Sequence, residues 1–225
     1  MKKIKLFIGL SLIVSFSYSQ TDSKEEVFSK HEISVFAENF LVKNQIYYGA
    51  YGPYYQNYEV DYSQIGIGYR FHFKKSAIRS RVSFGSSNRT QDNGVSNKYT
   101  YSSLFSDVAL GYELHLNKGK SQLFYGADLN FSFSHNKGET NYSDRDLQYD
   151  NKSLTTGFGI SPLIGIKYHF TPTISASTEV RVNVNYFKTE NTNSSNQDPE
   201  ENKTSEKGVN SKIGPKGFLS LNFHF

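Results

Sequence analysis

Four histidines occupy equivalent positions in the sequence, each next to the end of a run that alternates apolar and polar residues: His72, His115, His169 and His224. Imidazole nitrogens bind zinc or nickel, and imidazole is the side chain whose charge changes near neutral pH. A metal site would require the rings to converge within a few ångströms. We predict a polar ring at one rim of the protein, with no metal or cofactor; a metal site and a pH-sensitive mouth are the alternatives.

A hydrolytic site would need a serine, a histidine and a carboxylate close together. His135, with Ser132 and Ser134 nearby, is the best candidate in the sequence, but no acidic residue shares the phase of His135 in its alternating run. The sequence has no cysteine, no phosphate-binding loop and no HExxH motif. We therefore predict no catalytic residues and no enzymatic activity, and keep a lipid-A-modifying barrel enzyme as the alternative.

Eleven charged residues within the alternating runs share one phase, six acidic and five basic: Glu32, Glu38, Arg70, Arg79, Arg81, Asp107, Glu113, Asp128, Lys167, Glu179 and Arg181. The other phase is apolar. A soluble sandwich would place its charges toward solvent and its apolar residues inward, whereas lipid excludes charges from an outer face at a cost of about 2–4 kcal/mol each. We predict that the eleven charges fill the lumen of a membrane barrel as a paired network; a narrow ion path is the alternative.

The elements that must position these residues are eight alternating runs, at about 31–41, 64–73, 77–86, 103–116, 121–134, 155–170, 173–187 and 216–225. Three connections are tight, and four are long and polar, at about 42–63, 87–102, 135–154 and 188–215. Tight turns alternating with long loops are typical of outer-membrane barrels. The sequence predicts an all-β fold: an eight-stranded antiparallel up-and-down transmembrane β-barrel with short periplasmic turns and long extracellular loops.

The first long connection is rich in tyrosine: Tyr47, Tyr48, Tyr54, Tyr55 and Tyr58. An aromatic girdle with loop packing is one explanation. The alternative is a binding surface for a glycan or protein, because tyrosine gives a large contact area at low entropic cost.

The N-terminus has the pattern of a secretory signal, with Lys2, Lys3 and Lys5 before a short apolar run and Ser17-Tyr18-Ser19 as the cleavage site. We predict a cleaved signal peptide at 1–19, a short periplasmic segment at 20–30 and the barrel domain at 31–225. Without the three lysines of this signal, the formal charge falls from +4 to +1. The charge therefore gives no argument for nucleic-acid binding.

The last run, Gly217–Phe225, alternates apolar and polar residues and ends on phenylalanine. With eight runs, three tight turns and this ending, the chain resembles the small OmpA/OmpX-type outer-membrane barrels, and its richness in Tyr and Asn resembles the porin-family β-barrel proteins of Bacteroidota. The resemblance implies location in the bacterial outer membrane, contact with its lipid, and recognition of Leu219, Leu221, Phe223 and Phe225 by the barrel-assembly machinery. It favours a non-enzymatic protein whose loops mediate surface interaction, adhesion or envelope integrity; a small passive channel is a further alternative.

Overall fold

The computed structural model describes residues 30–39, 63–92, 97–142, 146–198, 200–215 and 217–225. The predicted signal peptide, nearly all of segment 20–30 and most of the first long connection lie outside these residues. The described chain forms nine strands: β1 His31–Glu38, β2 Gln64–His72, β3 Ser76–Asp92, β4 Asn97–Lys118, β5 Ser121–Tyr142, β6 Leu147–His169, β7 Ile174–Ser195, β8 Asn202–Gly214 and β9 Phe218–His224. No helix in this part of the chain is long and apolar enough to cross a membrane.

The strands close into a ring in which each neighbour is antiparallel. Each strand from β1 to β7 pairs with the next, and β1 pairs with β9. β7 pairs with β8 along one part of its length and with β9 along another. β8 and β9 are thus two halves of one position in the ring, interrupted around Pro215, and the predicted eight-stranded up-and-down barrel is confirmed.

The two ends of the barrel differ. Tight turns join β2 to β3, β4 to β5 and β6 to β7 at what we call the short-turn end. In the second of these turns Gly119 has φ of 55°, a left-handed conformation that glycine adopts without steric cost. At the opposite, long-loop end, the strands have very unequal lengths: β1, β2 and β9 have 8, 9 and 7 residues, whereas β6 has 23.

The predicted strand bounds are too short at the long-loop end. Most of the predicted connections 87–102, 135–154 and 188–215 is strand, with paired residues as far as Asp92↔Lys98, Tyr142↔Leu147 and Asn193↔Asn202. These extensions have polar residues on both faces, so they lack the apolar alternation from which a strand is predicted. Backbone pairing with neighbouring strands maintains them, and the chain forms a tall wall from β3 to β8.

The barrel is polar inside and apolar outside. Its buried side chains are mainly Ser, Asn, Gln, Asp, Glu, Lys, Arg and His, while large apolar residues such as Ile67 and Leu110 are exposed by 64% and 59%. Of the three phenylalanines buried in the described lumen, Phe36, Phe124 and Phe218, the first two pack against glycine. Their rings lie over Gly66 and Gly165, opposite them on the adjacent strands, where a Cβ would overlap the ring. Glycine therefore leaves the room that the rings fill.

Candidate functional site in the barrel lumen

The centre of the lumen is organised around Arg79 of β3. Its guanidinium donates two hydrogen bonds to Glu179 of β7, at 3.0 and 3.1 Å, and one to Glu113 of β4 at 2.9 Å. Its Nε lies 3.3 Å from Asp128 Oδ1 of β5. Carboxylates from three strands thus meet at one cation, and the pair with Glu179 has the bidentate geometry that suits guanidinium and carboxylate.

Other arginines extend this contact along the barrel. Toward the long-loop end, Arg81 contacts Asp107 at 3.0 Å and Asp128 at 3.4 Å. Arg181 pairs with Glu38 and also contacts Glu179 at 3.1 Å. Arg81 and Arg181 are thus linked to Arg79, because Arg79 also contacts Asp128 and Glu179. We call this continuous set of ion pairs through the lumen the charge column.

Toward the short-turn end, the column ends at Glu32 of β1, whose carboxylate is fully buried. Arg70 donates a hydrogen bond to Glu32 Oε1 at 2.7 Å, and Lys167 donates one to Oε2 at 2.5 Å. Arg70 also contacts Glu113 at 3.2 Å. All eleven charged residues predicted to face the lumen are buried, and each makes at least one ion pair with another of them.

Amides and hydroxyls fill the lumen beyond the charges. Asn130 donates a hydrogen bond to Asn185 at 2.7 Å, and Ser161 contacts Asn130 and Asn183 at 2.8 and 2.7 Å. A cavity beside Phe36 and Arg79 has room for about one water molecule. The described lumen is therefore occupied by its own side chains, as an eight-stranded barrel requires.

The structure brings the four predicted histidines together at the short-turn end. Ring centroids are 5.3 Å apart for His72 and His115, 6.1 Å for His72 and His224, and 5.0 Å for His169 and His224. His72 Nε2 lies 2.8 Å from Glu32 Oε2, and His115 Nε2 lies 2.9 Å from Glu113 Oε1. The barrel is narrow enough for side chains from alternate strands to meet across it. We call these four rings the histidine cluster.

Sequence reasoning missed the link between this cluster and the charge column. Glu32 was predicted to be a lumen charge, but it also contacts His72 and pairs across strands with His224. Ser175 of β7 was not singled out, although its hydroxyl lies 2.8 Å from His224 Nε2. Both residues lie in the inward phase of their strands, so the sequence could predict that they face the lumen. It could not predict how far along the barrel axis they lie.

The residues of the hydrolytic candidate lie on opposite faces of β5. His135 is exposed on the outer face, opposite Leu104 and Leu154 on the flanking strands. Ser132 and Ser134 are in the inward phase, and Ser134 is 3.5 Å from Asn136. The strand geometry thus separates the imidazole from both hydroxyls, since successive side chains of a strand point to opposite faces.

The remaining predicted site residues fall at the two extremes of the barrel. Tyr47, Tyr48, Tyr54, Tyr55 and Tyr58 lie outside the described residues. The predicted assembly-signal residues lie on or directly after β9, and their side chains are 42–61% exposed: Leu219, Leu221, Phe223 and Phe225.

No protein-family model and no curated protein sequence matches the chain. Among solved structures, the chain is similar to the ferric yersiniabactin uptake receptor FyuA of Yersinia pestis, at 9% identity and a TM-score of 0.42 over 67% of this chain and 24% of that one. The chain thus spans about a quarter of that receptor. It is also similar to Ail, the attachment invasion locus protein of Yersinia pestis, at 12% identity and a TM-score of 0.39, over 88% of this chain and 100% of that one.

A major outer membrane protein of Thermus thermophilus is similar at 12% identity and a TM-score of 0.40, over 88% of this chain and 99% of that one. Such distant likeness assigns no function. We therefore infer the function from the residues of this chain alone.

Proposed function

We propose that this chain is an integral protein of the bacterial outer membrane, without enzymatic activity, whose lumen is closed and whose long-loop end mediates surface interaction, in adhesion or envelope integrity. The observation that carries the membrane placement is the continuous apolar belt on the outer face. It includes Val35, Ile67, Val108 and Phe158 from four different strands, all at least half exposed. Water would oppose such a surface, whereas lipid stabilises it.

The height of the belt fits a bilayer. A strand that rises about 3.3 Å per residue at a tilt of about 40° covers about 30 Å from Leu104 to Leu116, which is the thickness of a hydrocarbon core.

On the described outer face, the charged residues nearest to the belt at the long-loop end are lysines: Lys98, Lys137, Lys152, Lys188 and Lys207. Lysines also lie in or next to two tight turns at the other end: Lys74, Lys75, Lys118 and Lys120. Such lysines extend their ammonium groups to the polar interfaces.

The charge column supports a closed lumen rather than a passive channel. Its carboxylates and guanidiniums come from strands all around the ring and bind one another across the axis, as Arg79 and Glu179 do at 3.0 Å. Moving ions past them would require breaking buried, mutually paired charges, at several kcal/mol for each group that loses its partner.

The wall from β3 to β8 supports a role in surface interaction. Above the lysine level β5 to β8 continue as a mainly polar sheet with both faces accessible, and β8 is exposed along nearly its whole length. A stiff sheet fixes the positions of its side chains and so lowers the entropic cost of binding a glycan or protein. The tyrosine-rich first connection leaves the barrel at the same end, between β1 and β2.

A second proposed partner acts while the barrel is inserted into the membrane. We propose that the barrel-assembly machinery recognises the outer face of β9, where Leu219, Leu221 and Phe223 form an apolar row. Replacing Phe223 and Phe225 by serine should lower the amount of folded protein in the outer membrane. The same variant refolded from urea into detergent should still form the barrel, which separates assembly from stability.

Membrane placement is tested by fractionation and gel mobility. We expect the mature protein in the outer-membrane fraction, with different mobility in unheated and boiled samples, because a closed barrel resists detergent unfolding. Recovery in the soluble periplasmic fraction, or equal mobility, would contradict the placement.

Surface interaction is tested on glycan and matrix-protein arrays with the purified barrel. We compare the wild type with variants in which either the first connection or the upper part of the β7–β8 hairpin is shortened. Binding should fall in at least one of them while gel mobility still shows a folded barrel.

Lipid-A mass spectra of a deletion strain should match the wild type; an altered spectrum would favour the enzyme.

A further inference from the structure

We propose that Glu32, His72 and His224 form a binding site for a divalent transition-metal ion of the zinc type at the short-turn end of the lumen. The three residues come from β1, β2 and β9, and one ligand atom of each lies within 4.8 Å of the others. This site is at the opposite end of the barrel from the surface proposed for binding, and it does not depend on that function.

The distances fit an ion that bridges these atoms. Zinc binds nitrogen and oxygen ligands at about 2.0–2.2 Å, so two ligands of a tetrahedral site are about 3.3–3.5 Å apart. His224 Nδ1 lies 3.6 Å from Glu32 Oε2, which is too long for a hydrogen bond and close to this spacing. His72 Nε2 lies 2.8 Å from the same oxygen, where an ion would replace the shared proton and move the two atoms apart by about half an ångström.

His224 is oriented as a metal ligand. Its Nε2 lies 2.8 Å from Ser175 Oγ, and it donates a hydrogen bond there when that nitrogen carries the proton. Asn222 donates a hydrogen bond to the same hydroxyl at 3.2 Å, which fixes its position. In that tautomer the lone pair of Nδ1 faces Glu32, and Nδ1 is a buried atom without a hydrogen-bond partner among the described residues. Metal-binding histidines are commonly held in this way through their second nitrogen.

The donor set selects the kind of ion. Two imidazoles and one carboxylate suit zinc, nickel or copper, whereas magnesium and calcium require oxygen ligands. His115 and His169 flank the site, with ring centroids 5.3 Å from His72 and 5.0 Å from His224 respectively. They enclose the ligands at the mouth that faces the periplasm in the proposed orientation.

Lys167 is a competitor built into the site. Its ammonium is fully buried and lies 2.5 Å from Glu32 Oε2, the oxygen that the ion would bind. A positive charge at this position opposes a divalent cation. Replacing the lysine by an uncharged residue should therefore strengthen metal binding, a result that a merely structural histidine cluster would not produce. Glu32 would keep its contact with Arg70, at 2.7 Å.

The test is calorimetric titration of the folded mature barrel in detergent micelles with zinc chloride at neutral pH. We expect one zinc ion per barrel, release by EDTA, and no binding of magnesium. His72→Ala and His224→Ala should each weaken binding by about tenfold or more, and Lys167→Met should strengthen it by a similar factor. His135→Ala is the matched control, because His135 is an exposed histidine on the outer face; it should bind as the wild type does.

The stability of the wild type gives a second readout of zinc binding, and this readout needs no variant; Glu32→Gln adds a comparison. Zinc should raise the urea midpoint of unfolding, and EDTA should reverse the shift, because an ion that binds only the folded state stabilises it. Glu32→Gln should abolish the shift. The proposal is wrong if wild-type barrel shows no saturable zinc binding, if the two histidine variants bind zinc as tightly as the wild type, or if His135→Ala removes the binding.

Discussion

At the residue scale, Arg79 makes the most concentrated set of charge contacts in the lumen, with Glu113, Asp128 and Glu179 at 2.9–3.3 Å. Arg79→Met would leave these buried carboxylates with one cation fewer. Because an unpaired buried charge is costly, we expect the free energy of unfolding to fall by about 3–5 kcal/mol. Urea unfolding of the refolded barrel in micelles measures it; a change below about 1 kcal/mol would contradict the paired network.

A double variant distinguishes charge pairing from packing. Adding Glu179→Gln to Arg79→Met neutralises one of the carboxylates that lost its partner, so part of the lost stability should return. Lys188→Met is the surface control: Lys188 contacts Glu190 at 2.5 Å, but both are exposed. It should leave the unfolding midpoint unchanged, because exposed ion pairs contribute little.

The direction of these side chains can be predicted from the sequence, but their partners cannot. Alternation in β3 places Arg79 and Arg81 inward, since every second residue of a strand shares a face. That Arg79 meets Glu179, 100 residues away, depends on the stagger between strands around the ring. The same stagger brings Glu32 to His72 and His224. The sequence therefore offered the two histidines as candidate metal ligands, but not Glu32.

At the element scale, β4 allows a test of the belt on one strand and one face. Leu110 is 59% exposed within the belt, and Thr100 lies on the same face nearer the long-loop end. Leu110→Arg should destabilise the barrel in lipid vesicles by about 2–4 kcal/mol, because it places a charge near the bilayer midplane.

Thr100→Arg is its matched control and should cost little, because Thr100 lies at the level of water or lipid headgroups. Both variants are measured by urea unfolding in vesicles. Equal effects of the two substitutions would show that the apolar belt does not mark the position of the hydrocarbon core.

The β7–β8 hairpin should be dispensable for the barrel. Lys188 and Lys207 are directly paired, and the hairpin continues from there to Asn193↔Asn202. Replacing 189–206 by Asn-Gly, a dipeptide suited to a two-residue hairpin turn, should leave the mobility difference between unheated and boiled samples intact. Loss of that difference would mean that the wall is needed for folding.

The bounds of the strands could be predicted only within the apolar belt, where outward residues are apolar and inward residues are polar. The segment 103–116 was predicted as a strand because apolar residues alternate there, and β4 contains it. Its first residues, from Asn97, were missed because Tyr99 and Tyr101 lie in the opposite phase from the apolar residues of 104–116, and the other residues there are polar. Such segments are strands because the neighbouring strands offer backbone hydrogen-bond partners. This pairing does not require alternating apolar residues, so the sequence does not reveal it.

At the scale of the whole molecule, the ion pairs that fill the described lumen predict a lack of conductance. The purified barrel in planar bilayers should show no stepwise openings under conditions in which a reconstituted porin conducts. The physical reason is the column of ion pairs that spans the described lumen from Asp107 to Glu32. Defined, voltage-stable openings would support the passive channel instead.

The ring as a whole could be predicted because charge exclusion from one phase, eight runs and alternating connection lengths all indicate the same barrel. The tall wall and the meeting of the four histidines could not, because they depend on strand extensions without periodicity and on the diameter of the closed ring. The resemblance to the barrel proteins of Bacteroidota stays a prediction.

The short strands β1 and β9 have a consequence for the order of folding. They join Ile33 to Phe223, residues almost a whole chain apart, whereas β4 and β5 pair across a two-residue turn. Segments that are distant in sequence lose more chain entropy when they pair, and they pair more slowly. We therefore expect the long hairpins to form first and the pairing of β1 with β9 to form last. Because β1 and β9 are short, few backbone hydrogen bonds form between them in that final step. The lifetime of the closed barrel is then set by its shortest strands rather than its tallest.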